Sequence, residues 1–127
     1  IELNNKDKKI FFKCDKEQIA RVFFNLIKNS IESIHQKLEK IGDFDKKISV
    51  EISQNNSHIK FVLIDNGIGF NEFGDKIKEI LNPYYTTKKN GTGLGLSIVN
   101  KIINDHNGNI KFISIKDGAK IEAVFLK

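Results

Sequence analysis

Asn82-Pro83-Tyr84-Tyr85-Thr86-Thr87-Lys88-Lys89-Asn90-Gly91-Thr92-Gly93-Leu94-Gly95-Leu96-Ser97 concentrates hydroxyls, lysines and alternating glycines directly before an apolar helical pattern. That composition suits a triphosphate. Glycines at 91, 93 and 95 allow positive φ and close approach of the backbone, so that successive N–H groups can point at phosphate oxygens. A following helix adds the positive end of its dipole. Taken alone, such a loop is weak evidence, because glycines also make ordinary turns.

Two upstream segments extend the reading. The run Ile59-Lys60-Phe61-Val62-Leu63-Ile64 closes on Asp65-Asn66-Gly67-Ile68-Gly69-Phe70, the pattern of a buried strand ending in a tight turn. A carboxylate at such a strand end is partly buried and needs donors, which an adenine amino group with bound water could supply; Asp-Asn-Gly is also a common hairpin turn. Further upstream, Asp15 stands as an N-cap with Gln18 as its capping-box partner. Ile19, Phe23, Leu26, Ile27, Ile34 and Leu38 then recur at helical spacing as a core-facing stripe. Beside them Asn25, Asn29, Glu32 and Gln36 share one face. A polar stripe is ordinarily a solvated face, but short amides set among apolar neighbours also suit Mg²⁺, for which amide carbonyls are hard oxygen ligands.

In this order and spacing the segments resemble the nucleotide-binding domain of the histidine kinase, gyrase, Hsp90 and MutL superfamily. Asn25-Leu26-Ile27-Lys28-Asn29-Ser30 is similar to its N box and Asp65-Asn66-Gly67-Ile68-Gly69 to its G1 box. Pro83-Tyr84-Tyr85-Thr86-Thr87-Lys88 is similar to its F box, and Gly91-Thr92-Gly93-Leu94-Gly95-Leu96 to its G2 box. The likeness runs from about Lys9 to the C-terminus and is nearest to sensor histidine kinases, in their nitrogen-regulation branch. It implies a Bergerat-type two-layer α/β sandwich that binds Mg²⁺ and ATP and donates the γ-phosphoryl group to a histidine on a preceding dimerisation domain. A response regulator would then receive the phosphate.

The resemblance assigns nucleotide contacts to Asn25, Asn29, Asp65, Gly67, Ile68 and Gly69, and to Tyr85, Thr86, Thr87, Lys88, Gly91, Thr92, Gly93, Leu94, Gly95 and Leu96. Asn29 would be the metal ligand, Asn25 and Lys88 the catalytic pair, and residues 71–92 a lid. Many sensor kinases carry a basic or aromatic residue where this chain has Glu32. An acid cannot bind phosphate directly, so Glu32 sits behind Mg²⁺ through water or faces solvent, and Lys88 becomes the best candidate for the missing positive charge. A stand-alone serine kinase of the anti-sigma-factor type shares the fold and a Thr-Thr-Lys string, and a nucleotide-gated assembly module is a third reading. Gly91-Thr92-Gly93-Leu94-Gly95-Leu96 argues against the serine kinase.

Composition agrees with a single domain over residues 1–127. The chain has 127 residues, 39% apolar and 29% charged, enough for one core. It contains no methionine and opens on Ile1, as expected of a piece of a longer sensor kinase, monomeric by itself and homodimeric at full length. No apolar stretch approaches the roughly 20 residues that span a bilayer, so a cytoplasmic location is expected, with any membrane anchor outside these residues. The single Cys14, within the strand-like run Ile10-Phe11-Phe12-Lys13-Cys14, is expected to be a packing residue. The net charge of +5 comes from scattered lysine pairs with acids between them, without the basic stripe that nucleic-acid binding requires. His35, His58 and His106 lack the His-Glu or His-Asp plus Arg-Thr-Pro surroundings of the family's phosphoacceptor and are expected on the surface or at caps.

Hydrophobic periodicity predicts a strand near 8–14, a helix over about 16–39, a hairpin of strands 47–54 and 59–64, a helix over about 94–105 and a final hairpin of 109–115 with 120–126. Helices would then cover one face of a mixed, mainly antiparallel sheet.

Overall fold

The structure, a computed structural model, describes residues 2–5, 10, 13–69 and 95–126. Its elements run β1 (Glu2–Asn5), α1 (Lys16–Ile41), β2 (Ile48–Gln54), β3 (His58–Asp65), α2 (Gly95–Asp105), β4 (Gly108–Ile115) and β5 (Gly118–Leu126). One five-stranded sheet in the order β1-β2-β3-β5-β4 carries them. β1 runs parallel to β2 and the other pairings are antiparallel, which is the mixed, mainly antiparallel sheet expected.

Alternation decides which face of the sheet is covered. Along β3, Ile59, Phe61, Leu63 and Asp65 are buried while the residues between them are more accessible, the period-2 signature of a sheet with one packed face. Val22, Leu26 and Ile34 of α1 and Val99, Ile102 and Ile103 of α2 form one core with Val50, Phe61, Leu63, Ile121, Ala123 and Phe125 of the strands. The Phe23 ring of α1 stacks on Phe61 at 4.7 Å between centroids. Asp65 lies on this packed face, at the end of the central strand.

α1 begins where its sequence says it should. Asp15 is the N-cap, its Oδ1 accepting from the Gln18 N–H at 3.1 Å. The reciprocal half of a capping box is replaced, since the Asp15 N–H donates to Nε2 of His106 at 3.0 Å. Nδ1 of His106 lies 2.8 Å from the Ile102 carbonyl oxygen, so the neutral ring, protonated on Nδ1, ties the start of α1 to the end of α2. α1 ends at Gly42, whose φ of 81° suits glycine and whose N–H donates to the Leu38 oxygen. Lys116 and Asp117 alone link β4 to β5, with Asp117 at a φ of 61°.

Two further expectations are corrected. No strand occupies residues 8–14 as far as they are described: Ile10, Lys13 and Cys14 are irregular, and the strand lies earlier, at Glu2–Asn5. Its pairing with Ser49–Ile52 comes from parallel registration across a long connection, which local β-propensity does not encode. Cys14 is exposed and is not a packing residue. His35 is exposed on α1 and His106 is a cap, as expected. Among the described residues no helix is long and apolar enough to cross a membrane.

Candidate functional site

β3 delivers Asp65 to the edge of the core, where it is 5% exposed. A carboxylate there needs donors, and two are in place. Ser30 of α1, itself 2% exposed, donates its hydroxyl to Oδ2 at 2.8 Å. The Gly67 N–H, two residues along the turn, donates to Oδ1 at 2.9 Å. An ionised carboxylate offers about four lone-pair directions, so both oxygens are oriented and retain accepting capacity. Burial pushes the Asp65 carboxyl above its ordinary pKa; the Gly67 N–H, the Ser30 hydroxyl and the Lys37 ammonium pull it back in part.

The turn after β3 is held as firmly as the carboxylate. The Ile68 N–H donates to Oγ of Ser33 at 3.0 Å, and Lys37 donates from Nζ to the Asn66 carbonyl at 2.8 Å. The Asn66 side chain bridges to the connection between α1 and β2, accepting from the Lys47 N–H at 2.8 Å and donating to the Asp45 carbonyl at 2.6 Å. Glycine is required at 67, because a Cβ there would fall on Oγ of Ser33 and lie 2.7 Å from that residue's carbonyl carbon. Gly69, at a φ of 74°, passes over Gly118, where a Cβ would meet the Gly118 oxygen at 2.5 Å. A Cβ on Gly118 would in turn overlap the Asp65 carbonyl oxygen. The start of β5 therefore presses directly on the turn.

Of the residues expected to act, Asp65, Gly67, Ile68 and Gly69 are brought together in this corner. Asn25, Asn29, Glu32 and Gln36 are all half-buried on α1, more shielded than Lys28, Ile31 and His35 on the outward side. Asn29 directly precedes Ser30 and is one turn from Ser33, so it borders the same corner. Oε2 of Glu32 is screened from solvent, so this side chain does not simply face water. Gly95 opens α2, and the half-buried Leu96 packs against the core. Tyr85, Thr86, Thr87, Lys88, Gly91, Thr92, Gly93 and Leu94, with the lid at 71–92, lie outside the described residues. Ser33, Lys37 and Gly118 lie outside the sequence motifs, and Ser30 and Asn66 lie within them without an assigned contact. Ser30 interrupts the apolar side of α1 next to Leu26 and Ile34, and that break in the periodicity was the available signal.

Residues 14–127 match the family described as histidine kinase-, DNA gyrase B- and HSP90-like ATPases. The chain belongs to that family. It is accordingly an ATP-binding domain. Sporulation kinase E of Bacillus subtilis is 40% identical to it over 98 residues, 76% of this chain and 12% of that protein. An NtrY-like sensor histidine kinase of Rickettsia felis is 36% identical over 115 residues, 90% of this chain and 18% of that protein. The chain thus spans less than a quarter of the length of either relative. The catalytic domain of the histidine kinase ThkA matches this ATPase domain with a TM-score of 0.82 at 26% identity, covering 98% of this chain and 78% of that one. ThkA in complex with the response regulator TrrA matches with a TM-score of 0.77 at 25% identity, covering 98% of this chain and 33% of that one.

Proposed function

We propose that this ATPase-family domain binds Mg²⁺ and ATP as the catalytic domain of a sensor histidine kinase, and donates the γ-phosphoryl group to a histidine outside residues 1–127. The observation that carries the reading is the buried Asp65, oriented by Ser30 and Gly67 and still able to accept, beside a turn stripped of side chains at Gly67. That arrangement fits the exocyclic amine of adenine. Guanine would place a carbonyl against the carboxylate, and two facing acceptors in a buried site cost on the order of 1–3 kcal/mol. The kinship to sensor kinases favours histidine over serine as the acceptor.

The remaining roles complete the proposal. Asn29, on the border of the corner, supplies an amide oxygen to Mg²⁺, which draws its other oxygens from phosphates and water. Asn25, one turn earlier, positions the phosphates, and Glu32 acts behind the metal through water. The Tyr85–Lys88 string and the glycines from Gly91 to Gly95 close over the triphosphate as a lid at 71–92, with Lys88 as its cation. Gly67, Ile68, Gly69 and Leu96 line the base side of the site. Phosphoryl transfer is largely positioning and charge stabilisation, so these residues contribute by orienting the nucleotide toward a histidine brought by a dimerisation domain of the same protein. A response regulator then takes the phosphate. A cytoplasmic location and a homodimeric whole protein, with this domain monomeric, follow from the same reading.

Calorimetric titration tests it. ATP is expected to bind about five- to 150-fold tighter than GTP, and Asp65→Asn to erase most of that preference. Equal affinities in the wild-type chain, or an Asn variant that keeps the preference, would overturn the assignment of Asp65.

A further inference from the structure

We infer that Ser33 is a specificity-determining residue of the base site, its hydroxyl donating to ring nitrogen N1 of adenine next to the amino group that Asp65 receives. The inference rests on the adenine reading proposed above. Ser30 and Ser33 are one turn apart on α1, yet their surroundings differ. Ser30 is buried and spends its proton on Oδ2 of Asp65. Ser33 is half-buried, and its Oγ accepts from the Ile68 N–H, which leaves its own proton to donate. In a helix without a ligand such a proton turns back to a carbonyl of the preceding turn; a ligand acceptor brought to Ser33 competes for it.

Gly67 decides where that proton can go. With no Cβ at 67, the turn settles onto Ser33 with nothing between them. Oδ1 of Asp65 sits on the Gly67 N–H and Oγ of Ser33 on the Ile68 N–H. Consecutive amides therefore each hold one side-chain oxygen, and of the two only Oγ of Ser33 carries a proton of its own to donate. The edge of adenine offers the complement, an amino donor adjacent to the N1 acceptor. Guanine and hypoxanthine reverse both positions, with a carbonyl at C6 and a proton on N1. Two groups read as a pair reject both bases at two positions, where Asp65 alone would reject them at one.

Titration of the 127-residue chain with ATP, 1-deaza-ATP, which carries a CH in place of N1, and purine riboside triphosphate, which lacks the amino group, separates the two contacts. Wild type is expected to bind 1-deaza-ATP about three- to tenfold more weakly than ATP. Ser33→Ala is expected to lose about the same factor for ATP and almost nothing for 1-deaza-ATP. Equal losses for the two nucleotides, or no loss for ATP, overturn the inference. If Ser33→Ala melts early, the wild-type comparison decides by itself, and equal affinities for ATP and 1-deaza-ATP overturn it. Asp65→Asn is read against purine riboside triphosphate instead. Failure there removes the Asp65 contact while leaving the Ser33 result standing, so the two readings fail separately.

Discussion

Ser30→Ala isolates the hydrogen bond that orients the buried carboxylate. The substitution removes one oxygen from a side chain that is 2% exposed, so the cavity is small and the main loss is the 2.8 Å bond to Oδ2 of Asp65. A hydrogen bond to an ionised partner is worth about 1.5–3 kcal/mol, and one to a neutral partner about 0.5–1.5 kcal/mol. Burial already holds the Asp65 carboxyl above its ordinary value, so the folded state binds its proton more tightly than the unfolded chain does. The contribution of Asp65 to stability therefore falls as pH rises from the ordinary carboxylate range through that raised value, and is level above it. Ser30 is one of the groups lowering the raised value. Its loss moves the folded carboxyl further up and deepens the fall. The stability deficit of Ser30→Ala is thus expected to grow from about 1 kcal/mol near pH 4 to about 2–3 kcal/mol near pH 7. Urea unfolding measures it, since a loss of this size at neutral pH moves the midpoint by about 1 M. The same deficit at both pH values would refute the reasoning and reduce Ser30 to a packing residue.

Gly67→Ala is expected to destabilise the chain by about 1–3 kcal/mol and to abolish ATP binding, because the added carbon meets the backbone of α1 at Ser33 and not merely a rotatable side chain. Thermal melting and titration read both effects, and a stable variant with normal ATP affinity would contradict the placement of the turn. Asn29→Ala is expected to remove the magnesium-dependent part of ATP affinity and Asn29→Asp to damage it less, as an oxygen ligand is retained. Titration with and without Mg²⁺ distinguishes them, and magnesium dependence surviving in the Ala variant would make the amide stripe a solvated face.

The parts of the fold legible in the sequence are those set by local chemistry. α1 follows from the Asp15 cap, its apolar stripe and Gly42; each hairpin follows from alternation and a polar turn; Asp65 follows from a polar residue closing an apolar strand. What was not legible depends on partners distant in the chain. The run from Ile10 to Cys14 has the better β composition, yet its described residues Ile10, Lys13 and Cys14 are irregular and Glu2–Asn5 pairs with β2, because parallel registration is a tertiary matter. Gln18 was the obvious partner for the Asp15 N–H, but His106 takes it from the other helix. Ser30 and Ser33 acquire their meaning only when β3 brings Asp65 and Ile68 to them, each 35 residues away in sequence. Gly118 resembles an ordinary hairpin glycine until the Asp65 carbonyl is found against it.

The most direct test of the account is phosphoryl transfer itself. The chain is incubated with ATP labelled at the γ-phosphate, alone and with the proposed histidine-bearing dimerisation domain supplied as a separate polypeptide. By itself the chain is expected to bind ATP and remain unlabelled. With the added polypeptide, label is expected on a histidine of that partner, lost in acid and kept in alkali. Label on His35, His58 or His106, or an acid-stable phosphoserine on the added polypeptide, would contradict the account.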